Sequence, residues 1–311
     1  MVVEDGTAKG VVFEHRGETH TINSKYVVAA CDVETLYEKM LPAGIIPAKL
    51  KDKLKDAELY SSSVTISVAL DCPTQDLGFG EELVHIASEN VPKGAHDNGD
   101  PVTSEISVLA PSLRDPSLAP EGFGTLTLFM PAFMHHQQQW NTQQDEHGNY
   151  LRNDAYKTLK HEIAEVIITR VEKSIAPNLR KHILFYDVAT PVTHWRYTGN
   201  RNGTMMGAKP GRANMQNKIG HYRTPVKNLL LGGHWAELGG GVPIAVKAGA
   251  NACLLILQKE KPKAFRQLAK YMDGKADVSE ITASGCFAPY DNSWVQKPTP
   301  AQKAATRNTQ P

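Results

Sequence analysis

The chain has 311 residues, which is enough for one large domain or two ordinary ones. Hydrophobic residues make up 41% of it, charged residues make up 22%, and the formal net charge is +1. This balance is typical of a globular protein. Because the basic residues are spread along the chain rather than clustered, the composition speaks against a dedicated nucleic-acid-binding protein.

Cysteine spacing and apolar content further narrow the class of protein. The four cysteines form no CxxC pair and lie far apart, at Cys31, Cys72, Cys253 and Cys286. That spacing predicts neither a metal site nor a disulfide framework, and it indicates a reducing compartment. No apolar run reaches about 18 residues, so the sequence predicts no membrane-spanning helix. The first residues show no signal-peptide pattern, and we predict a cytoplasmic protein.

The first sixty residues predict strands followed by short helices. Two glycine turns divide residues 1–30 into β segments. The run Tyr26–Asp32, YVVAACD, is apolar throughout and predicts a strand that is buried on both faces. A short helix is predicted over Val33–Leu41, and a charged helix over 46–57.

The middle of the chain predicts an antiparallel sheet with one long helix. In SSSVTISVALD, apolar residues alternate with polar ones, which predicts a strand with one buried face made of Val64, Ile66, Val68 and Leu70. Further strands are predicted around 83–87, 106–110, 125–130 and 182–188. An apolar stripe at helical spacing predicts a helix over Asn153–Ile175.

The segment LLLGGHWAELGGGVPIAVKAGANAC, Leu229–Cys253, predicts a buried strand, a glycine turn and a helix. Glycines allow close backbone approach, and Pro243 suits the first turn of a helix. The free N–H groups at a helix start favour negative charge. This arrangement favours a flavin site, because reduction places negative charge on the N1–C2=O edge of the ring. From the residues alone, a tight strand–helix crossover whose glycines serve only packing remains an alternative.

Four ordered segments resemble blocks of the phytoene dehydrogenase-like FAD-dependent oxidoreductases, a family that includes phytoene desaturases, carotenoid isomerases and retinol saturases. They are DPSLAPEGFGTLTLFMP (Asp115–Pro131), ATPVTHWRYTGNRNGTMMG (Ala189–Gly207), RTPVKNLLLGGHW (Arg223–Trp235) and the glycine-rich segment Leu229–Cys253. The N-terminal GVVFEHRGETHTINSKYVVAACD is similar as well. The resemblance covers about residues 2–260.

The resemblance implies an α/β plus α+β fold, in which the C-terminal part of an FAD-binding Rossmann-like domain is interrupted by an antiparallel-sheet substrate domain. It assigns 1–42 and 189–260 to the FAD-binding domain and 43–188 to the substrate domain. Residues 261–311 are predicted to form a C-terminal helix and a disordered tail. The cofactor it implies is FAD, and the expected binding residues are Ala30, Asp32, Gly232, Gly233, His234, Trp235, Gly239, Gly240, Gly241, Val242 and Pro243.

The sequence departs from the family in two places. The family begins with a strand–GxGxxG–helix unit that holds the FAD pyrophosphate, and no such motif occurs here. GFGEEL, Gly78–Leu83, lacks the third glycine and lies in the predicted sheet. We therefore expect the C-terminal part of such an enzyme, with the pyrophosphate cradle on another chain, on an upstream reading frame, or lost. The second departure is His234, where the wider superfamily often has an acidic residue, so either His234 or Glu237 is expected to meet the ribityl chain.

The implied reaction is hydride transfer between an apolar polyene or isoprenoid-like substrate and flavin N5, or isomerisation with reduced flavin. No side chain is a clear acid or base, so no catalytic residue is predicted. Substrates of this kind reside in membranes, and peripheral membrane contact is expected by resemblance. The alternatives are a flavin amine oxidase and a non-catalytic remnant or assembly partner.

Two histidine-containing segments leave their roles open. His135 and His136 are adjacent without further ligand spacing, which favours a solvated or partly buried pair over a metal site. The segment His194–Tyr197 lies in a family-like block, so the sequence allows either a place near the flavin or substrate channel or structural packing.

Overall fold

The computed structural model describes residues 1–89, 91, 92 and 94–285. The chain divides into two units, Met1–Gly249 and Ala250–Pro311. The described strands are β1 (Val2–Glu4), β2 (Thr7–His15), β3 (Glu18–Asn23), β4 (Val27–Ala29), β5 (Ser62–Leu70), β6 (Leu83–Ile86), β7 (Ile106–Leu109), β8 (Gly124–Ala132), β9 (Ile183–Ala189) and β10 (Leu229–Leu231). The described α-helices are α1 (Val33–Thr35), α2 (Ala48–Lys55), α3 (Pro111–Arg114), α4 (Gln137–Asn141), α5 (Asp154–Ser174), α6 (Leu179–His182), α7 (Pro191–Thr198), α8 (Arg212–Asn217), α9 (Val242–Glu260), α10 (Pro262–Met272) and α11 (Val278–Ala283).

The predicted antiparallel sheet is present, with strand order β6-β7-β8-β5-β9. Its core follows from the alternation of β5, which buries the side chains of Val64, Ile66, Val68 and Leu70. The helix predicted over Asn153–Ile175 is α5, and the Asn153 side chain accepts a hydrogen bond from Tyr156 N at its start. Buried residues of α5 share one hydrophobic cluster with those of β5, β7 and β8. The helix therefore covers one face of the sheet.

A second, parallel pairing joins distant parts of the chain. β4 and β10 pair in register, with Val27 opposite Leu229 and Ala29 opposite Leu231. The antiparallel sheet lies between these two strands in the sequence. The expectation that the strand at YVVAACD is buried on both faces is wrong for Val28, which is 39% exposed. Because successive strand residues face opposite sides, only Val27 and Ala29 point into the cluster that holds Leu229 and Leu231.

The helix predicted over Val33–Leu41 is present in two pieces. α1 is continued by a π-helical turn, Leu36–Met40. Asp32 begins α1 as its N-cap residue, because its side chain accepts a hydrogen bond from Thr35 N. This cap ends β4 and turns the chain directly after the parallel strand.

α9 continues from the first unit into the second, and α10 and α11 lie in the second. Among the described residues, α9 is long and apolar enough in composition to cross a membrane. Only 11% of its 18-residue apolar stretch is buried. The sequence-based expectation missed it because Lys247 and Asn251 interrupt the apolar run. The predicted helix before Met272 is α10, and the tail predicted to be disordered from about residue 291 lies outside the described residues.

Candidate cofactor site

The carboxyl ends of β4 and β10 lie side by side. Gly232 N donates a hydrogen bond of 2.9 Å to Ala29 O. A Cβ placed on Gly233 would lie 3.0 Å from Ala30 O and 3.2 Å from its Cα. A side chain at position 233 would therefore push the two strand ends apart, which is the physical reason for glycine here. In open α/β sheets, ligands bind beyond such strand ends.

Asp32 places a buried carboxylate at the end of β4. The residue is 2% exposed. Its Oδ2 accepts from Thr35 N at 2.7 Å. Within the described part of the chain, its Oδ1 is buried without a hydrogen-bond partner. Because an unpaired buried acceptor is costly, this oxygen is suited to a hydroxyl or amide donor of a ligand.

His234 and Trp235 place two further unpaired polar atoms at the end of β10. Trp235 is 2% exposed. His234 Nε2 and Trp235 Nε1 are buried and have no partner among the described residues. Burial lowers the pKa of His234, and the nearby Asp32 carboxylate partly opposes that shift. The imidazole is therefore neutral near pH 7 and can offer either a donor or an acceptor.

Gly207, which precedes α8, packs directly against His234 and Trp235. A Cβ on Gly207 would overlap the His234 ring and lie 3.2 Å from Trp235 Cε2. A Cβ on Gly240 would lie 2.9 Å from Met206 Cβ. Two sequence blocks that carry the family resemblance, Ala189–Gly207 and the glycine-rich segment, thus meet at the ends of the parallel strands.

The remaining predicted site residues form the loop that leads into α9. Gly239 and Gly241 have φ values of +127° and +87°, which glycine adopts without strain. Val242 is 76% exposed, and Gly241 and Pro243 are exposed as well. The structure therefore brings Ala30, Asp32 and Gly232–Trp235 together at the strand ends, where Ala30 is exposed, His234 is half-buried and the others are buried. Gly241–Pro243 instead face solvent at the helix start.

Glu237, the alternative to His234 for contact with a ribityl chain, already has partners. Tyr222 donates a hydrogen bond from its hydroxyl to Glu237 Oε1. Lys247 Nζ lies 2.9 Å from Glu237 Oε2. Both carboxylate oxygens of Glu237 are thus engaged, whereas His234 Nε2 has no partner among the described residues.

The sequence reasoning did not single out Asn200. Its Nδ2 donates 2.8 Å to Thr204 O. Its Oδ1 is buried and unpaired within the described residues. The neighbouring Gly199 approaches α1, because a Cβ there would lie 3.0 Å from Thr35 Oγ1. Position 200 lies inside the block Ala189–Gly207, but nothing in the sequence pattern distinguishes it from other asparagines.

Packing contacts hold the first two residues of the segment His194–Tyr197, whereas His135 is exposed and His136 is half-buried. His194 Nε2 lies 3.0 Å from Ser63 Oγ on β5. The rings of Trp195 and Tyr150 meet edge to face with centroids 4.9 Å apart. Burial lowers the pKa of His194. These contacts agree with the packing alternative for His194 and Trp195, whereas Arg196 and Tyr197 are exposed.

A cavity of about 360 Å³ opens beside the first residues of β5. Its lining is mixed, with aromatic, aliphatic and polar side chains that include Tyr60, Phe133, Met134, His135 and Arg201. Its described lining carries no carboxylate. A cationic amine would therefore find no counter-charge there.

The buried group at the strand ends fits the polar parts of FAD. Asp32 Oδ1 and Asn200 Oδ1 are acceptors for hydroxyls, and Trp235 Nε1 is a donor for a carbonyl oxygen. The glycines at 232 and 233 leave the backbone accessible to close approach. This set suits a cofactor with many hydroxyl and carbonyl groups better than a metal ion, which would require converging ligands.

Mixed α/β structure with polar groups beyond parallel strand ends is typical of cofactor-dependent oxidoreductases. No protein-family model matches the chain. Prolycopene isomerase of Daucus carota is 27% identical over 205 residues, which are 66% of this chain and 30% of that protein. Pyridine nucleotide-disulfide oxidoreductase domain-containing protein 2 of Mus musculus is 24% identical over 289 residues, covering 84% of this chain and 46% of that protein. 4,4'-Diaponeurosporene oxygenase of Staphylococcus haemolyticus is 24% identical over 231 residues, covering 73% of this chain and 42% of that protein.

The chain is related to the phytoene dehydrogenase-like FAD-dependent oxidoreductases, which confirms the resemblance found in its sequence blocks. These relatives are named as an isomerase, an oxygenase and a protein with an oxidoreductase domain, which supports an enzyme of the FAD-dependent oxidoreductase type. The chain spans less than half the length of the three relatives named above. A solved oxidoreductase structure from Methanosarcina mazei aligns with 81% of this chain and 47% of its own at 18% identity, with a TM-score of 0.46. A score of that size is too low to define a fold.

Proposed function

We propose that this chain forms the flavin-ring side and the substrate domain of an FAD-dependent oxidoreductase. Residues 1–42 and 189–260 contribute to an interrupted Rossmann-like domain, and residues 43–188 form the substrate domain. The observation that carries the proposal is the cluster of unpaired buried polar atoms at the ends of β4 and β10. A folded protein rarely keeps such atoms together unless a ligand or ordered water satisfies them.

The cofactor, when bound, supplies the hydride chemistry at its N5 atom. The chain's own residues bind and orient it. Asp32 Oδ1 would accept from a hydroxyl, while Trp235 Nε1 and the neutral His234 ring would hydrogen-bond to the ribityl chain or to ring oxygens. The loop Gly239–Gly241 and the start of α9 would serve the N1–C2=O edge, because a helix N-terminus favours negative charge by roughly 0.3–2 kcal/mol.

The proposed substrate is an apolar polyene or isoprenoid-like molecule. Two relatives are named for prolycopene and diaponeurosporene, which is consistent with that class. We place substrate entry at the cavity beside β5, whose described lining has no carboxylate to hold a cationic amine. The chemistry is then desaturation, saturation or isomerisation, and positioning rather than an acid or base side chain supports it.

The same proposal includes a second polypeptide segment and a membrane. A strand–GxGxxG–helix unit, on the same or another chain, supplies the pyrophosphate cradle. A membrane surface supplies the apolar substrate, so the protein is expected in the cytoplasm with peripheral membrane contact.

Gel filtration with added FAD tests the cofactor assignment. The purified chain is incubated with excess FAD and separated from free FAD, and its visible spectrum is recorded before and after reduction with dithionite. Flavin bands that elute with the protein and bleach on reduction support the proposal. A colourless protein is then tested with a separately expressed GxGxxG-containing half of a relative. If flavin is retained in neither case, the proposal is wrong.

A spectroscopic binding measurement that does not require turnover tests the substrate class. The flavin-loaded protein is mixed with a solubilised polyene or with a diamine, and perturbation of the flavin spectrum is measured. We expect a saturable change with the polyene only. A change with the diamine alone would instead favour the amine oxidase alternative.

A further inference from the structure

Three metal-ligating side chains meet at one end of the antiparallel sheet, away from the residues of the proposed cofactor site. Asp71 and Cys72 directly follow β5, and His182 directly precedes β9. Antiparallel pairing sets Leu70 opposite Ile183. Asp71 N also donates a 3.0 Å hydrogen bond to His182 O. The end of one strand is thereby fixed beside the start of its neighbour.

The side chains of this group converge as well as the backbone. His182 Nδ1 lies 2.9 Å from Asp71 Oδ1. The ligand atoms of Asp71, Cys72 and His182 all lie within 4.8 Å of one another. Asp71 and His182 are 111 positions apart in the sequence. The expectation of no metal site came from cysteine spacing alone, which carries no information on such a long-range group.

Cys72 is held in place from two sides. A Cβ on Gly124 would lie 2.7 Å from Cys72 O, so the first residue of β8 packs directly on that carbonyl. The Cys72 side chain packs against the hydrophobic cluster of the sheet. Asp76 is near enough to act electrostatically on the thiol. The thiol is thus fixed in a region that already carries two carboxylates and favours a cation.

We propose that Asp71, Cys72 and His182 form a divalent metal site whose preferred ion is Zn²⁺. Thiolate and imidazole ligands together select zinc over the hard cations Mg²⁺ and Ca²⁺. Tetrahedral Zn²⁺ holds its N, O and S ligands about 3.3–3.6 Å apart, as follows from bond lengths of roughly 2.0–2.3 Å. The side chains of Asp71 and His182 are partly exposed, so small rotamer changes bring the group to that spacing. Water completes the coordination from the solvent side.

The expected role of the metal is to clamp the edge of the sheet. Among the described strands, β9 is the last of its sheet and pairs only with β5. Its Leu184 and Phe185 are exposed. A metal that links His182, before β9, to Asp71 and Cys72, after β5, would hold this edge strand against its neighbour. It would also stabilise the folded protein, because metal binding to the folded state adds to folding stability.

Co²⁺ titration of the full, metal-free chain tests the proposal. Co²⁺ bound to a thiolate gives a near-ultraviolet charge-transfer band, and Zn²⁺ should displace it at one equivalent per chain. We expect the band in the wild type and in Cys253→Ser, and no band in Cys72→Ser. His182→Ala removes a direct ligand and is expected to weaken binding by at least about 100-fold, the upper end of what loss of a second-shell partner costs. A band that survives Cys72→Ser, or no band in the wild type, would overturn the site.

A measurement on the wild type alone guards against misfolding of the variants. The thiols are alkylated with and without Zn²⁺, and the modified peptides are mapped by mass spectrometry. Protection by Zn²⁺ should be confined to Cys72, with Cys31 and Cys253 as internal controls. Equal rates at Cys72 with and without Zn²⁺ would show that no such site exists.

Discussion

Gly207 lies directly against the ring of His234. A Cβ on Gly207 would fall 3.0 Å from His234 Nε2 and would overlap the ring at Cδ2. The φ of Gly207 is +67°, so the position also favours glycine through its backbone. This single contact joins the block that precedes α8 to the end of β10, and it fixes the orientation of a buried imidazole.

Substituting Gly207 with Ala should therefore displace His234. We expect the free energy of unfolding to fall by about 1–3 kcal/mol, as for an overpacked core position. FAD retention should weaken in the same variant, because the proposed ligand-facing imidazole moves. Chemical denaturation and flavin co-elution are the measurements.

Gly6→Ala is the matched control for this substitution. Gly6 has φ +68°, and nothing lies within 4 Å of a Cβ placed there. It therefore carries the same backbone strain without the steric clash. Equal losses for Gly207→Ala and Gly6→Ala would mean that the contact with His234 contributes nothing.

Two buried tryptophans differ in the partner of their indole N–H. Trp140 Nε1 donates 3.0 Å to Phe133 O, whereas Trp235 Nε1 is unpaired within the described residues. Replacement by Phe removes the donor in both cases. Trp140→Phe should cost about 1 kcal/mol more than Trp235→Phe in unfolding free energy, since only the first loses a hydrogen bond and leaves an acceptor unpaired.

Flavin binding should reverse that order. Trp235→Phe is expected to lose FAD retention, and Trp140→Phe is expected to keep it. Unfolding free energy is measured without FAD and retention by gel filtration. If Trp235→Phe retained FAD as well as the wild type does, the indole would not be part of the site.

Asp32 is expected to have two separable roles. Asp32→Ala removes the cap on Thr35 N and should cost about 0.5–2 kcal/mol of stability. Asp32→Asn keeps an oxygen acceptor for that cap, so its stability should stay close to that of the wild type. Both changes should weaken FAD retention, because the charge and the free Oδ1 are altered. A stable Asp32→Asn variant with full FAD retention would contradict the proposed contact.

Buried neutral histidines should make the protein less stable in acid. Burial lowers the pKa of both His194 and His234 in the folded protein. Below about pH 6.5, the usual pKa of histidine, the unfolded state binds protons first. The free energy of unfolding is therefore unaffected by these groups above that pH and falls as the pH drops toward their folded-state pKa values.

Substitution separates the histidine contribution from that of other groups. His194→Gln and His234→Gln should each flatten the decline in unfolding free energy below about pH 6.5. Denaturant titrations between pH 5 and 8 give the slopes. Curves that run parallel to the wild type over this interval would show that neither ring is held neutral by burial.

The sequence determined most of the local structure. Alternation in SSSVTISVALD correctly predicted the buried face of β5, because a strand's side chains alternate between two faces. Helical spacing of the apolar residues correctly predicted α5. The ordered blocks predicted the relationship to FAD-dependent oxidoreductases, and the assignment of individual cofactor-binding residues stays a prediction.

Only the tertiary structure decided which distant residues meet. The pairing of β4 with β10, the overlap between Gly207 and His234, and the group of Asp71, Cys72 and His182 join positions that no short-range periodicity relates. Local propensity and alternation report on each residue's immediate neighbours in the chain, whereas these contacts arise from strand register and close packing across the fold. The exposure of Val28 was also decided by the tertiary structure, because a strand's apolar composition does not specify what covers its second face.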